Sequence, residues 1–379
     1  MENSKNFRIL SLDGGGIRGM LTATLLVELE NELKAINPEH SLTNCFDFFA
    51  GTSTGSIIAC GLANGMTATQ ILEFYQTYSK DIFKDLDFVN VLIEVVERIK
   101  EKDPSLPLFE EEGLENVLKK PDIFPATLLF KDLHKPTLIT SYDTYNREAV
   151  IFVSQGKNAQ NPDDKYKARY ATLPVWQVCR SSSAAPVAFA SYLLKDKAYL
   201  DALKEYERPE DQRIRRGDLS KELTKTPLSL GLPQEECIPL IDGGVVANNP
   251  SLCAIIEAIE NGKPLDKIFV ASFGTGQVNR RISSEEVTTW GGFDWVNIHN
   301  QIPLMDVFSD GSSDVTDYTA KKLLQGNYKR IQPVITSDIS TFQADEANLE
   351  KLSRAATNYL QNCGGKERLQ ELAKQLVNV

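Results

Sequence analysis

The sequence predicts an α/β fold with a mostly parallel sheet, and three observations carry that expectation. Short apolar runs alternate with stretches of helical spacing along most of the chain. Three times an apolar run ends in a glycine turn that leads toward a helix: "FRILSLDGGGIRG" (7–19), "FDFFAGTSTGSIIACG" (46–61) and "IPLIDGGVVANNPSLCAIIEAI" (238–259). At 379 residues, 42% hydrophobic and 25% charged, the chain has the size and composition for a substantial buried core.

The elements follow in chain order. Residues 7–13 read as a strand closing on an acid, and helical spacing takes over in "MLTATLLVELENELKAI" (20–36). The run at 46–61 is a strand, a cramped turn and a helix, and a further helix starts near Thr67. "KPTLITSYDTYN" and "REAVIFVS" are expected as paired strands with a polar turn around Asn146. "LPVWQVCRSSSAAPVAFAS" reads as a helix feeding a small-residue loop that stops at Pro186, and "DKIFVASFGTG" as one more buried strand. Residues 195–236 are charge-dense and interrupt the pattern, as an insertion with some helix. Beyond about residue 280 the chain turns polar and aromatic, then closes with helical patterns in "DVTDYTAKKLLQ" and "NLEKLSRAATNYLQ". The expected organisation is a catalytic domain over 7–280 that contains the insertion, with 281–379 as a C-terminal extension packed on the same domain.

Charge and cysteine usage narrow the function classes. A net charge of −11 and a pI near 5.0 argue against nucleic acid and give no overall attraction to anionic lipid surfaces. The six cysteines are scattered, without a CxxC pair or metal-ligand spacing, as in a reducing compartment. "MENSKNFRIL" lacks the basic region and apolar run of a signal peptide, and no apolar run approaches a spanning helix. A cytoplasmic protein is expected, peripheral at membranes at most.

The chemistry concentrates in the glycine turns. Gly51-Thr52-Ser53-Thr54-Gly55 fits Gly-x-Ser-x-Gly, in which the glycines turn a strand sharply into a helix and expose the serine hydroxyl. The helix that follows directs its N-terminal N–H groups at the reacting centre. Taken alone, the same stretch is also a tight turn with an idle serine. "DGGGIRG" (13–19) matches a dinucleotide loop, but the acid such a loop requires at the end of the second strand is missing. Glu39 lies in the turn-like "NPEH" instead. Successive N–H groups of Gly14, Gly15 and Gly16 suit an oxyanion nest better. In "DGGVVANNP", Asp242 closes a strand, where a dry carboxylate can accept a serine proton directly. Glycine nest, elbow and carboxylate turn are expected to converge at one edge of the parallel sheet.

Four blocks in this order, "DGGGIRG", "GTSTGS", "CRSSSAAPVAFA" and "DGGVVANNP", resemble the patatin-like phospholipases. The likeness spans about residues 7–280 and continues weakly to "NYKRIQP". It implies a three-layer patatin-like fold and a Ser–Asp dyad, with Ser53 as nucleophile and Asp242 as base. It also implies an oxyanion hole from Gly14, Gly15 and Gly16. Asp13, Arg18, Gly19, Gly51, Gly55, Gly243 and Gly244 would support the motifs. Ser56 replaces the usual glycine after the elbow, and Ser181 stands where alanine is common. The implied activity is hydrolysis of fatty-acyl esters of membrane phospholipids or related lipids, without metal or organic cofactor.

Two other readings stay open on the sequence. Ser53, Asp242 and His299 stand in the chain order of an α/β-hydrolase triad, as in a small-ester or thioester hydrolase. A non-catalytic lipid-binding or storage protein is the reading from another class. Lipid access is expected from an apolar rim around Trp290, Phe293 and Trp295, and from the helical stripe Val89, Leu92, Ile93, Val96 and Ile99, unless these pack inside. The charged insertion is expected as a mobile excursion, a lid or a docking site for an activator.

Overall fold

Strand β1 (Phe7–Leu12) lies inside one eight-stranded sheet, with β2 (Phe48–Thr52) and β7 (Ile268–Phe273) parallel to it on either side. The computed structural model describes residues 6–83, 107, 109–155, 167–204, 236–295, 303–336 and 338–377. The stripe at 89–99, residues 205–235 of the insertion and His299 therefore lie outside the described residues.

The remaining strands are β3 (Thr137–Asp143), β4 (Glu148–Val153), β5 (Tyr192–Leu194), β6 (Ile238–Asp242) and β9 (Tyr328–Ile331). Their order is β5–β6–β3–β2–β1–β7–β9, with β4 paired to β3 off that path. β2–β3 and β7–β9 are parallel, so the mostly parallel sheet expected from the sequence is present. β3 and β4 form the expected antiparallel hairpin. Asp143 Oδ1 closes its turn by accepting the N–H groups of Tyr145 and Asn146 at 2.8 and 3.0 Å. A short parallel pair, β8 (Gln277–Val278) and β10 (Val334–Ile335), stands apart.

The sheet is buried on both faces, and the strand sequences show why. Alternate residues of a strand point to opposite sides. Leu10 and Leu12 of β1, Phe49 of β2 and Phe269, Ala271 and Phe273 of β7 enter one apolar cluster. Ile9, Phe48, Ala50, Ile268 and Val270 enter another. Strands covered twice are near-continuously apolar, as these are. The first cluster is closed by helices Gly19–Ile36, Thr54–Ala63, Ala68–Ile82, Glu346–Asn362 and Gly365–Val377, the second by Ser251–Glu260 and the end of Pro303–Leu324. The result is the three-layer arrangement.

Two expectations need correction. The carboxylate strand β6 runs antiparallel to β3, and β5 runs antiparallel to β6. The third glycine turn thus reaches the site from the opposite direction to the first two. The C-terminal region also holds a long helix, Gly365–Val377, beyond the two helical patterns expected there. Its buried Leu369, Leu372 and Leu376 cover helix Gly19–Ile36, and the Leu376 carbonyl accepts Arg8 Nη1 at 2.8 Å. No helix among the described residues is long and apolar enough to cross a membrane.

Candidate active site

The site begins at the edge of β3 that faces away from β4. Residues 137–140 of β3 pair there with β2, which ends at Thr52 opposite Thr140. Residues 141–143 pair on the same edge with β6, which ends at Asp242 opposite Ser141. The two strands therefore meet end to end, one rising and one descending, and the residues at the junction are Ser53 and Asp242. Thr52 and Thr140 share a side-chain hydrogen bond of 2.7 Å at the seam, and Thr52 Oγ1 also lies 2.7 Å from the Ala247 carbonyl.

Ser53 holds φ 53° and ψ −125°, a strained conformation for a residue with a side chain. Its surroundings enforce it. A Cβ on Gly51 would sit 2.2 Å from the Gly55 carbonyl, and one on Gly55 would sit 2.3 Å from the Leu12 carbonyl. Only glycine at both positions lets the strand fold back onto its own helix and onto β1. Ser56 Oγ donates to the Ser53 carbonyl at 2.5 Å, which secures the turn. The serine after the elbow is thus a tie across it.

The block "CRSSSAAP" proves to be a bridge. Ser182 Oγ accepts the Ser53 N–H at 2.8 Å, while the Ser182 and Ala184 carbonyls accept the N–H groups of Gly243 and Asp242 at 3.3 and 3.0 Å. One loop fixes both the nucleophile turn and the carboxylate turn. Sequence reasoning placed this block in the motif set without finding its role, because its contacts are made through backbone carbonyls and one hydroxyl.

Asp242 is 4% exposed, its carboxylate accepts the Gly244 N–H at 2.7 Å, and it shares the wall of one cavity with Ser53. Burial pushes its pKa up to about 6, while the neighbouring Ser53 side chain and the Gly244 N–H pull in the other direction. Gly243 packs on Thr140 behind it. His40 and His134 line neither of the cavities at Ser53.

The glycine loop lies across the turn from Asp242. Gly14 donates its N–H to the Asn248 carbonyl at 3.2 Å, so it is occupied, whereas those of Gly15 and Gly16 have no acceptor among the described residues. Thr275 Oγ1 donates to the Gly14 carbonyl at 2.8 Å, and the Ile17 N–H donates to the Thr341 carbonyl at 3.0 Å. Gly16 has φ +56°, and a Cβ there would meet the Thr341 carbonyl at 2.3 Å. Gly19 opens the following helix against Thr54 and Tyr75.

Asp13 points away from the hydroxyl and is held by Arg330 of β9, Nη1 to Oδ1 at 2.8 Å and Nη2 to Oδ2 at 2.5 Å. Burial raises the Asp13 carboxyl while Arg330 pulls it down, and Asp13 in turn raises Arg330. Arg330 Nη1 also reaches Ser272 Oγ at 2.8 Å. Sequence reading missed Arg330, Asn248 and Thr275. Their only signal was the faint extension of the resemblance to "NYKRIQP" and the asparagines of "DGGVVANNP".

Two cavities meet at Ser53, sharing Gly16, Ala185 and Phe342. One is apolar, with Ile57, Phe74, Phe83, Leu114 and Phe189 in its wall. The other carries Arg18, Asp242, Asn248 and Asp306. The arrangement offers a hydroxyl against a buried base, free N–H donors beside it, and an apolar slot next to a polar one.

A family model described as patatin-like phospholipase matches residues 10–255. The chain is 28% identical over 382 residues to patatin-like protein 2 of Arabidopsis thaliana, covering 93% of this chain and 82% of that one. It is 27% identical over 259 residues to a cGAMP-activated phospholipase of Escherichia coli, covering 68% of this chain and 57% of the relative. A solved structure of VipD from Legionella pneumophila aligns with a TM-score of 0.45 at 14% identity, over 98% of this chain and 67% of that one.

Two stability measurements follow. The Asp242 carboxyl titrates near 6 in the folded protein against ~4 unfolded, so ionising it opposes folding. This penalty is absent below pH 4, grows through pH 6 and is complete above it. Asp242→Asn is therefore expected to raise stability in urea titrations at pH 8 by up to about 3 kcal/mol, with the gain vanishing at pH 4. Arg330→Gln leaves Asp13 buried without its counter-charge, and a loss of about 3–5 kcal/mol is expected. Adding Asp13→Asn should restore part of that loss in the same titration.

Proposed function

We propose that this chain, which belongs to the patatin-like phospholipase family and is a lipid ester hydrolase, cleaves fatty-acyl esters of membrane phospholipids with Ser53 and Asp242 as its only proton-transferring pair. Ser53 Oγ attacks the ester carbonyl while Asp242 takes its proton. The oxygen of the tetrahedral intermediate faces the N–H groups of Gly15 and Gly16, with Gly14 tied back to Asn248 as the loop's anchor. Collapse expels the alcohol, which receives the proton from Asp242, and leaves an acyl group on Ser53. Water then attacks the acyl-enzyme by the same route in reverse roles, regenerating the hydroxyl.

The observation that carries this reading is the buried Asp242 carboxylate beside the Ser53 side chain, both in the wall of the polar cavity. A carboxylate at an ordinary pKa is a feeble base toward a serine hydroxyl. Desolvation lifts Asp242 to about 6, which strengthens it while leaving it ionised at pH 7 to 8. The apolar cavity suits an acyl chain, and the polar one suits the alcohol portion of the ester.

Approach to a membrane is proposed through the start of helix Pro303–Leu324. Met305 and Ser309 line the polar cavity there, and Phe308, between them, is 57% exposed. Trp290 and Trp295 pack edge to face at 5.1 Å and are half-buried, so these two rings of the expected rim are partly covered; the Phe293 side chain lies outside the described residues. An activator acting through the insertion at 195–236 belongs to the same proposal. The E. coli relative is, by its name, activated by cGAMP.

Two kinetic tests apply. On a soluble ester, kcat/KM should fall tenfold per unit below an acid limb near pH 6 and be flat above it. This limb should persist, with activity within about tenfold, when His40, His134 and His299 are all replaced. Asp242→Asn should lose at least about 100-fold. Loss of the limb in the histidine-free protein would instead support the triad through His299. For the rim, Phe308→Ser is expected to lower hydrolysis of vesicle lipid several-fold more than hydrolysis of the soluble ester. An equal drop on both substrates would assign Phe308 to folding.

A further inference from the structure

The polar cavity holds two opposite charges that the protein does not join. Arg18 lines it, is 8% exposed, and its Nε has no hydrogen-bond partner. Asp306 lines it from the first turn of helix Pro303–Leu324. No hydrogen bond or direct ion pair of either side chain is found among the described residues. They nevertheless sense each other. Burial and Asp310 push the Asp306 carboxyl up, while Arg18 first and Arg280 less strongly pull it back; Asp310, one turn along the helix, is likewise raised by burial and pulled back by Arg18.

An acid in the first turn of a helix is accounted for by the helix dipole. That covers Asp306 and leaves Arg18 and Asp310 without a reason. A buried guanidinium Nε without a hydrogen-bond partner is costly, and the cost is relieved by an anion entering the cavity. A carboxylate facing it across the same space asks for a cation. Together they complement a dipolar ion.

With the acyl chain assigned to the apolar cavity, the alcohol side of a bound ester lies between these two groups. We infer that the polar cavity is a headgroup site for a phospholipid bearing a primary ammonium group, with Arg18 toward the phosphate and Asp306, backed by Asp310, toward the ammonium. The inference rests on the reading of Ser53 as the attacked-ester site, which sets where the headgroup lies. The donor chemistry favours a primary amine. A guanidinium takes a phosphate through paired N–H donors, and an ammonium with N–H groups donates to carboxylates. A quaternary ammonium has no N–H and is held by aromatic cages. Among the described residues the only ring in this lining is Phe342, at the junction with the apolar cavity. A glycerol headgroup lacks the cation and leaves Asp306 unpaired.

The test uses the full chain and short-chain phosphatidylethanolamine and phosphatidylglycerol, dissolved below their micelle points. Binding is measured calorimetrically with Ser53→Ala protein, in which no turnover consumes the lipid. Phosphatidylethanolamine is expected to bind at least tenfold tighter. Asp306→Asn, in the same background, should bring the ratio to within about twofold of unity, and Asp306→Lys should reverse it. Equal affinities in Ser53→Ala, or a ratio that neither Asp306 substitution changes, would overturn the inference. Hydrolysis of the same lipids by wild-type protein is scored separately. A binding preference without any turnover supports the headgroup site and rejects the Ser53 mechanism, whereas turnover without a preference does the reverse.

Discussion

Everything at the site depends on the shared edge of β3. Because β4 occupies one edge of that strand, β2 and β6 must divide the other between them. A parallel strand entering from below and an antiparallel strand entering from above leave a seam between Thr140 and Ser141. Both strands end there, so their last side chains are brought together by backbone pairing alone. The meeting of Ser53 and Asp242 is thus set by sheet register, the most rigid element available to a fold of this kind. The strain at Ser53 and the burial of Asp242 are tolerated because the loop at Ser182–Ala184 holds both turns through three hydrogen bonds.

The glycine loop is organised by a second long-range constraint. Asp13 closes β1, and its carboxylate is gripped by Arg330, 317 positions later in the chain. Two buried charges of opposite sign, with good geometry, fix the direction in which the chain leaves β1. From that point the loop is pinned at Gly14 from both sides, by Asn248 and Thr275, and at Ile17 by Thr341. The N–H groups of Gly15 and Gly16 are what these ties leave over. Part of the C-terminal region therefore belongs to the site, since Arg330 and Thr341 both come from it.

Much of this was legible in the sequence. Gly51, Gly55 and the apolar run before them announced a sharp strand-to-helix turn, because glycine at both positions permits the close approach such a turn needs, and the structure has it. The β3–β4 hairpin could be read from two alternating runs around Asn146. What could not be read was direction. "IPLID" looks like "FRILSLD" and "FDFFAGT" because burial on both faces imposes the same composition on parallel and antiparallel strands, so the reversal of β6 left no trace. Nor could Gly14 be separated from Gly15 and Gly16, because the sequence does not say which N–H the Asn248 carbonyl will occupy. Arg330 was hidden for a related reason. An arginine in a short strand reads as an ordinary surface cation until its buried partner is known. Helix Gly365–Val377 was not legible because its apolar residues, Leu369, Leu372 and Leu376, are few and set among charges, enough to pack on helices Gly19–Ile36 and Glu346–Asn362.

The central claim is that a carboxylate, without an imidazole, activates Ser53. The most direct measurement is the rate at which a fluorophosphonate labels Ser53, followed by mass spectrometry of the intact protein and of the peptide that carries the adduct. The account predicts that protein lacking His40, His134 and His299 is labelled at Ser53 at close to the wild-type rate, and that Asp242→Asn is labelled at least about 100-fold more slowly while remaining folded. Rapid labelling of Asp242→Asn together with none of the histidine-free protein would contradict it.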